Sequence, residues 1–199
     1  YSTKDGVFNS IIFTDEYTAT YTVTFNGKGA NVENYEKNIK ADWGTKITAP
    51  TPSPEKIGLV FGGWYKETEC INGWNFENHL VENDTTLYAK WNVISYKITY
   101  ILEGGINGAN PTTYNIESAT INLLAPTKTG YTFDGWFGDD AFSGSAITQI
   151  VTGATGDKTF YAKWIPTEYA VTYVLEGGIN GANPTTYNIE SATINLLAP

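Results

Sequence analysis

Few residues in this chain could do covalent chemistry, and they are scattered over loop-like sequence. His79 is the single histidine and Cys70 the single cysteine, both within the irregular stretch Glu67–Asn83. A nucleophilic pair needs a base held in place by a third group, and this loop has no equivalent in the second repeat. A surface-loop histidine and an unpaired thiol are the expected reading. Carboxylates for glycoside hydrolysis must flank a cleft about 5–10 Å apart, whereas Asp139-Asp140 and Glu67/Glu69 read as solvated turn acids. The EGGING glycines at Glu103–Gly108 make no phosphate loop, since no Lys-Ser/Thr follows and the chain runs into Asn-Pro instead of a helix. Calcium needs about six to eight oxygens; Glu82–Asp84, Asp139–Asp140 and Asp157 lack EF-hand spacing. We therefore expect no catalytic residues, no metal site and no cofactor.

The tryptophans are the sharper candidates, because exposed Trp and Tyr can stack on sugar rings. Trp64/Trp136 and Trp91/Trp164 recur at matching positions, with Phe61 and Phe133 beside them. Recurrence suits a structural core, where a small module needs large aromatic side chains. Trp43 and Trp74 occur once each and are the ligand-contact candidates. Tyr88 and Tyr161 lie on the outer face of a strand and are candidates for a contact patch.

These residues sit within an internal repeat, which has to be found before any motif is interpreted. Tyr100–Pro126 returns as Tyr173–Pro199 with only Ile101 replaced, by Val174. GLVFGGWY (Gly58–Tyr65) matches GYTFDGWF (Gly130–Phe137), and TLYAKW (Thr86–Trp91) matches TFYAKW (Thr159–Trp164). The chain divides into a flanking segment at residues 1–20, repeat one at 21–91, repeat two at 96–164 and the first half of a third at 169–199. The flanking segment reads as the end of a preceding module or an added edge strand, with VFNSIIF (Val7–Phe13) as its strand. The third repeat lacks its GW and AKW parts, so its open strand edge invites a partner, from a neighbouring module or by self-association.

Tyr21, Val23 and Phe25 alternate with Thr22 and Thr24, the period of a half-buried strand. Leu87, Ala89 and Trp91 share one face of the closing strand, while Tyr88 and Lys90 share the other. Lys46–Ala49 reads as a strand, Leu59–Tyr65 as a strand interrupted at Gly62-Gly63, and Tyr114–Ala125 as β-leaning. Glu33–Trp43, part of Glu67–Asn83 and Ala146–Val151 are each given a short helical turn. Linkers of about four residues, Asn92–Ser95 and Ile165–Glu168, predict a semi-rigid, elongated array.

Net charge is −9 and the twelve basic residues are all Lys. That excludes the basic stripe that nucleic-acid binding requires and disfavours an anionic membrane surface. No run long and apolar enough to cross a membrane exists in this segment. With one cysteine there is no intrachain disulfide framework.

The motifs Tyr21–Phe25, Pro126–Trp136 and Tyr161–Trp164 in order resemble the Listeria–Bacteroides repeat family, the internalin B B-repeat of bacterial surface proteins. Leu59 stands where the pattern has Tyr131, and Thr51–Gly58 is longer than Thr127–Gly130; both are loop and packing changes. The resemblance implies a β-rich α+β fold of tandem small β-grasp-like modules, with all-β as the fallback. It further implies a non-catalytic spacer, stalk or adhesion module on the extracellular bacterial surface. Partners would be a surface protein or glycan of a host or neighbouring cell. A carbohydrate-binding module is the alternative.

Overall fold

The computed structural model describes residues 18–31 and 35–198, so the expected Val7–Phe13 strand lies outside them. The chain forms two compact units, Tyr1–Asn92 and Val93–Pro199. No helix is present among the described residues. Among the described residues the fold is all-β, the fallback expectation.

In the first unit β1 (Thr20–Asn26), β2 (Glu36–Asp42), β3 (Leu59–Tyr65) and β4 (Thr85–Val93) form one sheet in the order β2-β1-β4-β3. β1 pairs antiparallel with β2, Val23 opposite Ile39, and parallel with β4, Phe25 opposite Leu87. Alternation drives this arrangement: Val23, Phe25, Leu87 and Ala89 are all fully buried on the shared face of the two central strands. Trp64, Ile47, Trp74 and Val81 close the core over them.

β2 corrects the helical turn expected over Glu33–Trp43 for residues 36–42, while residues 33 and 34 lie outside the described ones. Its burial alternates strictly, with Ile39 and Ala41 packed inward against the core. That two-residue period suits an edge strand better than any helical face. Lys46–Ala49 is irregular and not a strand. Ile47 alone enters the core from it, because Thr45 is tied at one end to Asp42 and at the other to Val81. In Glu67–Asn83 only one i→i+4 turn of helical kind forms, where the His79 N–H donates to the Asn75 carbonyl at 2.9 Å.

In the second unit β5 (Tyr96–Ile101), β6 (Thr113–Tyr114), β8 (Tyr131–Phe137) and β10 (Lys158–Pro166) repeat the plan in the order β6-β5-β10-β8. β7 (Ile121–Asn122) and β9 (Gln149–Ile150) form a separate pair with Ile121 opposite Ile150. The helical turn expected around Ala146–Val151 is therefore an extended strand, since burying Ile150 needs the β7 partner. In β8, the counterpart of β3, the Gly-Trp step carries a bulge. The register between β10 and β8 shifts at Lys163/Trp164, opposite Gly135, whose φ is +135°. Only glycine adopts that backbone without strain, and a Cβ there would meet Ala146 Cβ at 2.8 Å.

β11 (Tyr169–Ala170) and β12 (Thr186–Tyr187) make the hairpin of the half-repeat. Local polar locks survive in it. Tyr173 donates its hydroxyl to the Pro184 carbonyl at 2.8 Å, as Tyr100 does to Pro111 at 3.0 Å. The core does not close: Tyr187 is 43% exposed where its counterpart Tyr114 is 5% exposed. The half-repeat meets the start of β8 instead, through the Tyr131 hydroxyl to Glu190 Oε1 at 3.0 Å, and the linker residue Thr167 donates its N–H to the Gly130 carbonyl at 2.9 Å.

Candidate interaction surfaces

Each module is closed by the same aromatic bracket. Phe61 stands edge-on to Trp64 at 5.3 Å and to Trp91 at 5.9 Å; Phe133 repeats this with Trp136 at 5.2 Å and Trp164 at 5.6 Å. The outer tryptophan is pinned by its indole N–H, Trp91 to the Gly27 carbonyl and Trp164 to the Leu102 carbonyl, each at 3.0 Å. Trp64 and Trp136 are 3% and 2% exposed, while Phe61, Phe133, Trp91 and Trp164 are half-buried against the cores. Edge-to-face pairs of this kind contribute about 0.5–1.5 kcal/mol beyond area burial.

The two single-copy tryptophans have opposite fates. Trp43 is 60% exposed in the turn after β2. Trp74, expected to be a ligand contact, is 9% exposed and belongs to the core. Its N–H donates to the Trp64 carbonyl at 2.7 Å, and Ile147 makes the same bond to Trp136, so Trp74 fills a core position that an isoleucine fills in repeat two. The His79 ring lies 5.0 Å away and Lys66 Nζ 5.6 Å from the ring centre. The Trp74 indole N–H is buried without a partner.

The chemically suggestive loop residues are largely spent on structure. His79 Nδ1 accepts the Asn75 N–H at 2.8 Å, and Cys70 lies 3.9 Å from Lys28 Nζ. Asp84 and Asp157 each clasp the first strand of their module, at Thr22 N–H and Lys97 N–H. Glu67 accepts from the Ile71 and Asn72 N–H groups, and Asp139 accepts from Ser143 in the same way. No cluster of three His, Cys, Asp or Glu suited to a metal exists among the described residues.

The N–H of Asn72 holds the Glu67 carboxyl below its ordinary value of 4.5. A depressed carboxyl stabilises the fold above its unfolded pKa, and this is lost as pH falls through the folded value. Glu67→Gln should therefore shrink the drop in melting temperature between about pH 6 and about pH 3. An unchanged drop in thermal denaturation at the two pH values would refute the role of this carboxylate.

Cavities border Trp74, its repeat-two counterpart Ile147, and Tyr161. One in the first unit, of about 350 Å³, is polar and lies between Lys66, Trp74, Leu80 and residues 82–86. Its counterpart in repeat two, about 340 Å³, is lined by Ile147, Ile150, Val151 and Phe160, among others, and is mostly apolar. The third, about 300 Å³, brings Tyr161 together with Ile101, Glu103, Asp140, Phe142 and Ala162. Sequence reasoning picked out Tyr161 and the Asp139-Asp140 pair but missed Glu103. Superposing the two turns by sequence, Lys28 on Glu103, would have exposed the charge reversal.

Two modules built on one strand order, with the same bracket and the same aspartate clasp, define a tandem all-β repeat protein. The Listeria-Bacteroides repeat domain matches at residues 21–90 and again at 96–163, and the chain belongs to that family. Over 158 residues it is 33% identical to a protein of Evansella cellulosilytica whose name describes a Gly-rich membrane protein, covering 79% of this chain and 18% of that one. It is 32% identical over 154 residues to internalin H of Listeria monocytogenes, covering 76% of this chain and 26% of the internalin. The chain thus spans about a quarter or less of the length of these relatives.

Proposed function

We propose that the chain is a non-catalytic repeat stretch of a bacterial cell-envelope protein, serving as a spacer and as a surface for protein interaction outside the cell. The observation that carries this reading is the division between what repeats and what varies. The aromatic bracket, its carbonyl anchor and the aspartate clasp recur in both modules. The residues around them differ: Lys28 against Glu103 and Cys70 against Phe142. A constant scaffold with variable surfaces suits modules that add reach and weak contacts through effective concentration. The names of the relatives, a membrane protein and an internalin, support an envelope location.

The test places an epitope tag ahead of residues 18–199 on a bacterial surface and measures antibody access. Deleting residues 96–164 should lower access, and equal access with and without them would overturn the spacer role. The sugar-binding alternative is left with Trp43 as its aromatic platform, since Trp74 is buried. Trp43→Ala should change stability by no more than about 0.5 kcal/mol, measured by urea denaturation. On a glycan array, signal that the substitution abolishes would favour the sugar reading over the spacer.

A further inference from the structure

The third cavity reads differently once the two repeats are compared position by position. In repeat one, Lys28 sits at the turn after β1 with φ +48°, and Glu103 occupies the matching place after β5 with φ +47°. Cys70 and Phe142 correspond in the same way, each at φ +55°. Each closes an equivalent turn, Cys70 N–H to the Glu67 carbonyl and Phe142 N–H to the Asp139 carbonyl. Thr68 then corresponds to Asp140.

The Lys28 ammonium in repeat one donates to the Thr68 carbonyl at 2.6 Å and lies 3.9 Å from Cys70 Sγ. Repeat one thus carries its own lysine at this spot. Repeat two has replaced the lysine by a glutamate, the threonine by an aspartate and the cysteine by a phenylalanine. What results is a cavity of about 300 Å³ bounded by two carboxylates, two aromatic rings and Ile101. The parallel register of β5 and β10 sets Ile101 directly beside Tyr161. Among the described residues neither Glu103 nor Asp140 is in an ion pair.

We propose that this pocket of repeat two accepts a lysine side chain from a partner protein, in the place where repeat one holds its own. The carboxylates of Glu103 and Asp140 meet the ammonium. The Tyr161 and Phe142 rings attract it through their faces, as aromatic rings do within about 6 Å of a cation, and Ile101 with Ala162 packs along the aliphatic stem. The inference rests on the interaction reading above and names the chemistry of one contact. It also departs from stacking on sugars, because two carboxylates without a cation attract an ammonium more strongly than a neutral hydroxyl.

The probe is Nα-acetyl-lysine amide titrated into the ¹⁵N-labelled chain, with Nα-acetyl-norleucine amide as the uncharged match. Lysine should shift the amide signals of residues 101–103, 140–142 and 161 in a saturable manner, and norleucine should not. Glu103→Gln with Asp140→Asn should weaken binding at least about tenfold while the melting temperature holds, as expected for exposed carboxylates. Glu103→Lys should also block the probe, by supplying the ammonium from within as Lys28 does. Equal shifts with norleucine, shifts spread over the whole acidic surface, or undiminished binding in the double variant would each overturn the proposal. The titration does not depend on antibody access at the cell surface, so the pocket can fail while the spacer stands, and the reverse.

Discussion

Trp136→Ala should unfold the second module or bring it close to unfolding at room temperature, an expected loss of about 3–5 kcal/mol. A module of about 70 residues has only roughly 4–10 kcal/mol in total. Trp136 is 2% exposed and touches Phe133, Tyr100 and Phe160 with its ring. Its indole N–H also donates to the Leu124 carbonyl at 3.0 Å. Truncation therefore opens a cavity beneath β10 and removes one of the two donors on the Leu124 carbonyl. Near-UV circular dichroism with urea denaturation checks this, the repeat-one transition serving as an internal control. A second-module midpoint unmoved by the substitution would show that the bracket is not what holds the module shut.

The second large effect comes from a polar residue. Asn110 is 6% exposed and its side chain bridges Leu124 from both ends, Nδ2 to the carbonyl at 2.8 Å and Oδ1 from the N–H at 2.7 Å. The Leu124 carbonyl keeps its Trp136 donor, so Asn110→Ala leaves the Leu124 N–H unpaired and should cost about 1–3 kcal/mol by the same measurement. The Leu124 carbonyl accepts from both Asn110 and Trp136. Residues sharing a partner couple, so the double variant should depart from additivity by about 0.5 kcal/mol or more. Strict additivity would mean that the two side chains support the loop independently.

The lock around Asn110 also explains why the half-repeat keeps its local shape. Asn183 makes the same two bonds to Leu197, at 2.9 and 2.6 Å, although the surrounding core is open. These contacts span a short stretch of chain and need no second half to form. Closing a core is different: Tyr114 is buried in a repeat that also has β8 and β10, and Tyr187 is not.

Reading the sequence located the repeats and the inward faces of β1 and β4, because two-residue alternation is a local property of the chain. It failed at β2, where Glu33–Trp43 carries mixed polar residues and the strand pattern emerges only once Ile39 pairs with Val23. It also failed at Trp74. Whether a single-copy tryptophan is exposed depends on Lys66 and His79 covering it, and no pattern along the chain reports that.

What the sequence determined by itself was the family, the tandem organisation and the β-rich class, since each is written in motifs a few residues long. The tertiary structure alone decided that the class is all-β and that Trp74 is core. It also decided that Glu103, Asp140 and Tyr161 share one pocket. Those three residues are far apart in the chain, and the parallel pairing of β5 with β10 brings Glu103 and Tyr161 together. A parallel partner arrives only after a long crossover, so neighbourhoods built on it cannot be seen in any window of local sequence.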